Sequence, residues 1–148
     1  MLRRVVIVAL VLLATTTALP LTAAEDEHRP AELGVLLTMS RSSANPAKAW
    51  LVVRGVGPGT PAERAGLRTG DFIVEIAGQP IAFKNDLEML LALAKLEPGK
   101  PVHFTVVRDR KRQDVELVPR RMSGPQYEGW KADLAALQAR TKAASHTP

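Results

Sequence analysis

Cysteine is absent from the 148 residues, which excludes disulfides and thiolate metal sites and leaves the hydrophobic core to hold the fold alone. Histidine is nearly as scarce. His28, His103 and His146 are far apart in the chain, so no pair has the spacing that lets one helix present two ligands to a metal. Each is expected to be exposed or structural. The serines at 40, 42, 43, 123 and 145 fall in loops and tails, and none occupies the Gly-x-Ser-x-Gly elbow that activates a hydrolase nucleophile. Aromatic residues make up only 4% of the chain. None is interleaved with the basic cluster Arg108, Arg110, Lys111 and Arg112 to stack bases, so that cluster reads as a solvated hairpin tip and not as a nucleic-acid site. No catalytic residue, metal or cofactor is expected, and the chain is not expected to be an enzyme.

Long hydrophobic runs are confined to the start. Met1–Arg4 carries two positive charges, Val5–Ala14 is unbroken apolar sequence, and Thr15–Ala24 ends in small residues, the three regions of a secretory signal peptide. Residues 1–24 are therefore read as a cleaved signal, which implies a periplasmic or secreted product. The alternative is an uncleaved anchor, since Val5–Ala24 approaches the roughly 20 residues that cross a bilayer. No other membrane contact is expected. Beyond the signal, 25–31 reads as a linker, 32–119 as one globular domain, and 120–148 as a linker with an amphipathic tail.

Within that domain, Leu33–Met39 and Trp50–Val53 with Val56 are strand candidates separated by a polar loop containing Asn45-Pro46. Phe72, Val74 and Ile76 alternate with Ile73, Glu75 and Ala77 in a third strand that stops at Gly78, and Gln79-Pro80 should turn the chain. Asn85, three residues before Glu88, begins a helix over Asp86–Leu96 by reciprocal capping, ended by Pro98-Gly99. Its apolar stripe, Leu87, Leu90, Leu91 and Ala94, is widened by Met89 and Leu93 beyond what one buried face needs. Val102, Phe104 and Val106, then Val115 and Leu117, should form an antiparallel pair about a turn at Asp109–Arg112. Trp130, Leu134 and Leu137 have helical spacing in a tail that docks on the domain or on a partner, and Ala143–Pro148 should be disordered.

The glycines of GVGPGTPAERAGLRTGD, residues 55–71, raise the possibility of a phosphate cradle. That requires Gly-x-Gly-x-x-Gly opening a long helix. Here the third glycine comes one residue early, no Lys-Ser/Thr follows, and Pro61–Ala65 allows barely one helical turn. The stretch is read as structural: Pro61 suits a first helical turn, and Gly66 can supply a left-handed end.

Gly59-Thr60-Pro61-Ala62, Ala65-Gly66-Leu67, Gly70-Asp71 and Ile73-Val74-Glu75-Ile76-Ala77-Gly78-Gln79-Pro80-Ile81 together resemble a PDZ domain. The likeness is greatest to the PDZ modules of bacterial exported serine proteases of the high-temperature-requirement type, with the protease domain absent. The resemblance covers roughly 32–119. It implies an α+β, mostly β fold: a partly open barrel or sandwich of 5–6 short strands with one short and one longer helix. It also implies a carboxylate-binding loop at Glu32, Leu33, Gly34 and Val35, whose backbone N–H groups converge on a peptide's last carboxylate, with Arg29 as a nearby basic residue. The strand Val35, Leu36, Leu37, Thr38 would add the peptide antiparallel at its free edge. By the family's pattern Val35, Leu91 and Ala94 would line the pocket for the terminal side chain and Leu87 the pocket two residues earlier, while Leu90 and Leu93 face the core. A shift of one residue would bring Asp86 into the groove instead. The implied partners are protein C-termini or exposed apolar segments, bound as an adaptor or scaffold. The alternative is a regulatory or substrate-recruiting subunit of a separate envelope serine protease or secretion system.

Overall fold

Six antiparallel strands form the main sheet of the computed structural model, which describes residues 28–146. The signal segment expected at 1–24 lies outside those residues. Strands β2 (Val35–Arg41), β3 (Ala49–Val56), β4 (Phe72–Ile76), β6 (Val102–Arg108) and β7 (Lys111–Leu117) lie in the order β2-β3-β4-β6-β7, and the two-residue β5 (Gln79–Pro80) pairs with β4. A second small sheet joins β1 (Ala31–Glu32) to β8 (Arg120–Arg121). Three helices complete the described residues: α1 (Pro61–Ala65), α2 (Asp86–Ala94) and α3 (Gly124–Ala144). The sheets do not close into a barrel, and the described residues hold eight strands, three of them only two residues long, so that the five longer ones agree with the 5–6 expected.

Alternation puts Leu51 and Val53 of β3, Phe104 and Val106 of β6, and Leu117 of β7 into one core with Ile73. Phe72 is exposed, yet both Ile73 and Ile76 pack inward, three residues apart. A register shift between Ile73 and Glu75 in the β4–β6 ladder resets the alternation and allows this.

Turn chemistry sets the remaining boundaries. Between β4 and β5 the turn is Ala77-Gly78, both left-handed, so Gln79-Pro80 continues as strand and does not make the turn. The β6–β7 turn is likewise two residues, Asp109 and Arg110, both at positive φ, with Arg108 paired to Lys111. In α2 the Asn85 side chain accepts from the Glu88 N–H at 2.9 Å, while the Glu88 carboxylate reaches the Lys84 N–H at 2.8 Å, one residue beyond the expected partner. The helix ends at Ala94, two residues early, because Lys95 and Leu96 N–H groups bond to Ala92 and Leu93 in a tighter final turn. At the other end of the chain α3 runs through Ala143 and Ala144, beyond the expected end of order.

Arg108 does not belong to the solvated hairpin tip. Its guanidinium donates to both carboxylate oxygens of Asp71, Nε at 2.8 Å and Nη2 at 2.6 Å, and to the Gly66 carbonyl at 2.8 Å. Asp71 is 1% exposed and also accepts from the Arg68 N–H at 2.9 Å. This pair fastens the end of α1 to β6 beneath the turn into β4.

Candidate functional site

The short helix α1 anchors the loop that leads into β2. Thr60 caps α1, its hydroxyl accepting from the Glu63 N–H and donating to the Gly57 carbonyl at 2.7 Å, and Gly66 ends it at a φ of 86°. Two hydrogen bonds then tie the loop to this unit. The Ala62 N–H donates to the Leu33 carbonyl, and the Gly57 N–H donates to the Gly34 carbonyl, each at 2.9 Å. In a trans peptide the N–H points opposite to the preceding carbonyl. With both carbonyls turned toward α1 and its loop, the Gly34 and Val35 N–H groups are turned the other way, and both residues line a cavity of about 1110 Å³. Two successive N–H groups on one side suit an anion.

Gly34 makes this possible. Its φ is 74°, and Thr60 packs against its α-carbon so closely that no side chain could fit.

The cavity extends from the loop along β2. That strand is the end of the main sheet, bonded to β3 on one side only among the described residues. Leu33, Gly34, Val35, Leu36 and Leu37 all line the cavity. Thr38 does not; its hydroxyl accepts from Arg54 Nε at 2.9 Å on the other face of the sheet. Across the cavity, α2 contributes Asp86, Met89, Leu90, Leu93 and Ala94.

Of the three helix residues expected to face the groove, only Ala94 lines it; Leu87 and Leu91 do not, and Leu91 is exposed. Met89, not Leu90, is the buried anchor of α2. At about 100° per residue, Leu87 and Leu91 lie roughly 160° and 200° around the helix from Met89, whereas Asp86, Leu90 and Leu93 lie within about 100° on the cavity side. Asp86, the residue that a one-residue shift would admit, is among those lining the cavity. Leu93 serves both core and cavity.

Glu32 places a carboxylate beside the N–H groups, and its charge is compensated. Arg120 Nε donates to it at 2.7 Å, the Gln126 amide donates to it as well, and its side chain is 13% exposed. That hydrogen bond and charge hold Arg120 above its usual pKa. Arg120 lines the cavity and Arg29 does not; the Arg29 guanidinium instead lies against Gly124 at the start of α3.

Sequence reasoning treated the glycine stretch as remote from any ligand, but Gly55, Val56, Gly57, Pro58 and Thr60 form part of the cavity wall. It also left open whether α3 docks on the domain or on a partner. The helix packs against α2 and contributes Trp130, Asp133, Leu137 and Arg140 to the wall. The helical spacing of Trp130 and Leu137 was the available signal; their target was not in the sequence.

Comparison with known proteins agrees with the fold. The family profile described as PDZ domain matches residues 31–118. The human 26S proteasome non-ATPase regulatory subunit 9 is 33% identical over 82 residues, which are 55% of this chain and 37% of that protein. The "Probable periplasmic serine endoprotease DegP-like" protein of Pseudomonas fluorescens is 42% identical over 57 residues, 38% of this chain and 12% of its own. The chain thus spans well under two thirds of these relatives. Among solved structures, the HtrA3 PDZ domain bound to a phage-derived ligand, FGRWV, shares the fold with a TM-score of 0.51 at 19% identity, covering 66% of this chain and 91% of that one. With the family match spanning more than half its length, the chain belongs to the PDZ family.

Proposed function

We propose that this protein is an exported peptide-binding module that captures C-terminal or extended apolar segments by strand addition to β2, acting as an adaptor or scaffold. The observation that carries the reading is the pair of bonds from Ala62 to Leu33 and from Gly57 to Gly34. They hold two carbonyls toward α1 and its loop and so turn the Gly34 and Val35 N–H groups the opposite way, at the end of a free strand edge. A peptide carboxylate would sit on these N–H groups, and its preceding main chain would pair with β2 through Leu37. The apolar wall of Val35, Met89, Leu90 and Leu93 favours an aliphatic or aromatic terminal side chain. Export to the periplasm or beyond rests on the sequence of residues 1–24, with an uncleaved anchor as the alternative.

A second reading is favoured by the likeness to the Pseudomonas fluorescens relative, whose name describes a periplasmic serine endoprotease. The chain would then recruit substrates for a separate envelope protease or secretion system. Both readings use the same groove.

Amide chemical-shift mapping with peptides ending in Val, Leu, Ile, Phe or Met tests the placement. Shifts should concentrate on Gly34–Leu37 and the Leu90 side of α2; shifts confined to another surface would overturn it.

A further inference from the structure

Helix α3 runs along the groove, and one of its faces belongs to the same cavity as the loop and α2. Gln126, Trp130, Asp133, Leu137 and Arg140 recur at three- and four-residue steps, a single stripe of the helix. From Gln126 to Arg140 this stripe is about 21 Å long, the length of about six residues of extended strand.

The start of α3 is fastened to the strand that leads into the loop. The Met122 N–H donates to the Pro30 carbonyl at 3.0 Å, and Ser123 N–H donates to Gln126 Oε1 at 2.8 Å while the same amide donates to Glu32. The wall therefore has a fixed position relative to the carboxylate-binding N–H groups.

Trp130 on this stripe carries a buried indole Nε1 with no hydrogen-bond partner among the described residues. Its ring stacks on Tyr127 with centroids 5.9 Å apart. A buried, unmade hydrogen bond is costly, and such a group calls for an explanation. A strand added to β2 satisfies only one of its own edges there. Its other edge faces side chains of α2 that offer no donor: Asp86, Met89, Leu90, Leu93 and Ala94.

We infer that Trp130 is a ligand-contacting residue: α3 is a third wall of the groove, and the indole N–H donates to a main-chain carbonyl on the outer edge of the bound peptide. This rests on the peptide-binding reading above. It makes the site sensitive to about six residues of ligand, not only to the last few. Because Nε1 is covered in the absence of ligand, the Trp130 indole turns when a peptide enters, while the start of α3 stays fastened.

The test uses the full chain and an array of acetylated hexapeptides with free carboxylates ending in Val, Leu, Ile, Phe or Met. For the tightest binder, Trp130→Phe, which keeps an aromatic ring at the Tyr127 stack, should weaken affinity about fivefold, the effect of one hydrogen bond. Trimming the peptide to its last three residues should cost affinity in the wild type and less in the variant. In a Trp50→Phe background, where Trp130 is the sole tryptophan, saturation with a peptide lacking tryptophan should shift the emission. Unchanged affinity with unmoved emission would overturn the third wall. Tighter binding by Trp130→Phe would also overturn it, making α3 a cover that competes with ligand. If no peptide binds the wild type or the variant, the peptide-binding reading itself fails.

Discussion

A Cβ on Gly34 would lie 2.1 Å from the Cβ of Thr60. The loop before β2 and the cap of α1 are therefore in direct backbone-to-side-chain contact, and the loop's shape depends on a residue with no side chain. Gly34→Ala must both adopt a left-handed φ and displace Thr60, which also holds Gly57. The expected cost is about 2–4 kcal/mol, measured by urea denaturation, with loss of peptide binding under conditions where the variant remains folded.

The two faces of α2 are separable. Leu90→Arg places a charge in the cavity wall and should weaken binding of apolar-ended peptides at least about tenfold, since burying an unpaired charge is costly. Leu91→Arg substitutes an exposed position outside the wall and should leave affinity within about twofold. Calorimetric titration of both variants checks the register; the reverse order would restore the Leu87–Leu91 face.

Asp71 and Arg108 hold α1 to β6 through a pair in which the carboxylate is almost wholly buried. Asp71→Ala leaves the guanidinium without its main partner and should destabilise the fold by about 3 kcal/mol. Pairing it with Arg108→Met should cost less than the sum of the single changes in denaturation experiments, because one interaction is removed twice.

The same pair sets an acid limit. Burial pushes the Asp71 carboxyl up, but the Arg108 hydrogen bond, the Arg68 N–H and the nearby positive charges outweigh it, holding the group below its ordinary value. A carboxyl depressed in the folded state contributes stability that is fully present above its unfolded pKa, about 4, and is lost as pH falls through the lower folded value. Denaturation midpoints should therefore decline below about pH 4, and the decline should be shallower in Asp71→Ala.

Much of this fold was legible because its signals are local. Pro61 in a first helical turn and Gly66 as a left-handed end need only neighbouring residues, and both occur as read. Alternation in Val102, Phe104 and Val106 likewise needed no tertiary information. The face of α2 was not legible, because Leu87, Met89, Leu90, Leu91 and Leu93 form an apolar band wide enough for two registers, and only the sheet chooses Met89 as anchor. Arg108 looked like its exposed neighbours because its partner Asp71 is 37 residues away. The role of Trp130 depends on where α3 lands, which its own periodicity does not contain.

The central claim is that the Gly34 and Val35 N–H groups receive a peptide's terminal carboxylate. The most direct measurement is calorimetric titration of the wild-type chain with one apolar-ended hexapeptide in two forms, free acid and C-terminal amide. The free acid should bind at least about tenfold more tightly, as expected for a charge-assisted hydrogen-bonded group; equal affinity for the two forms would contradict the account.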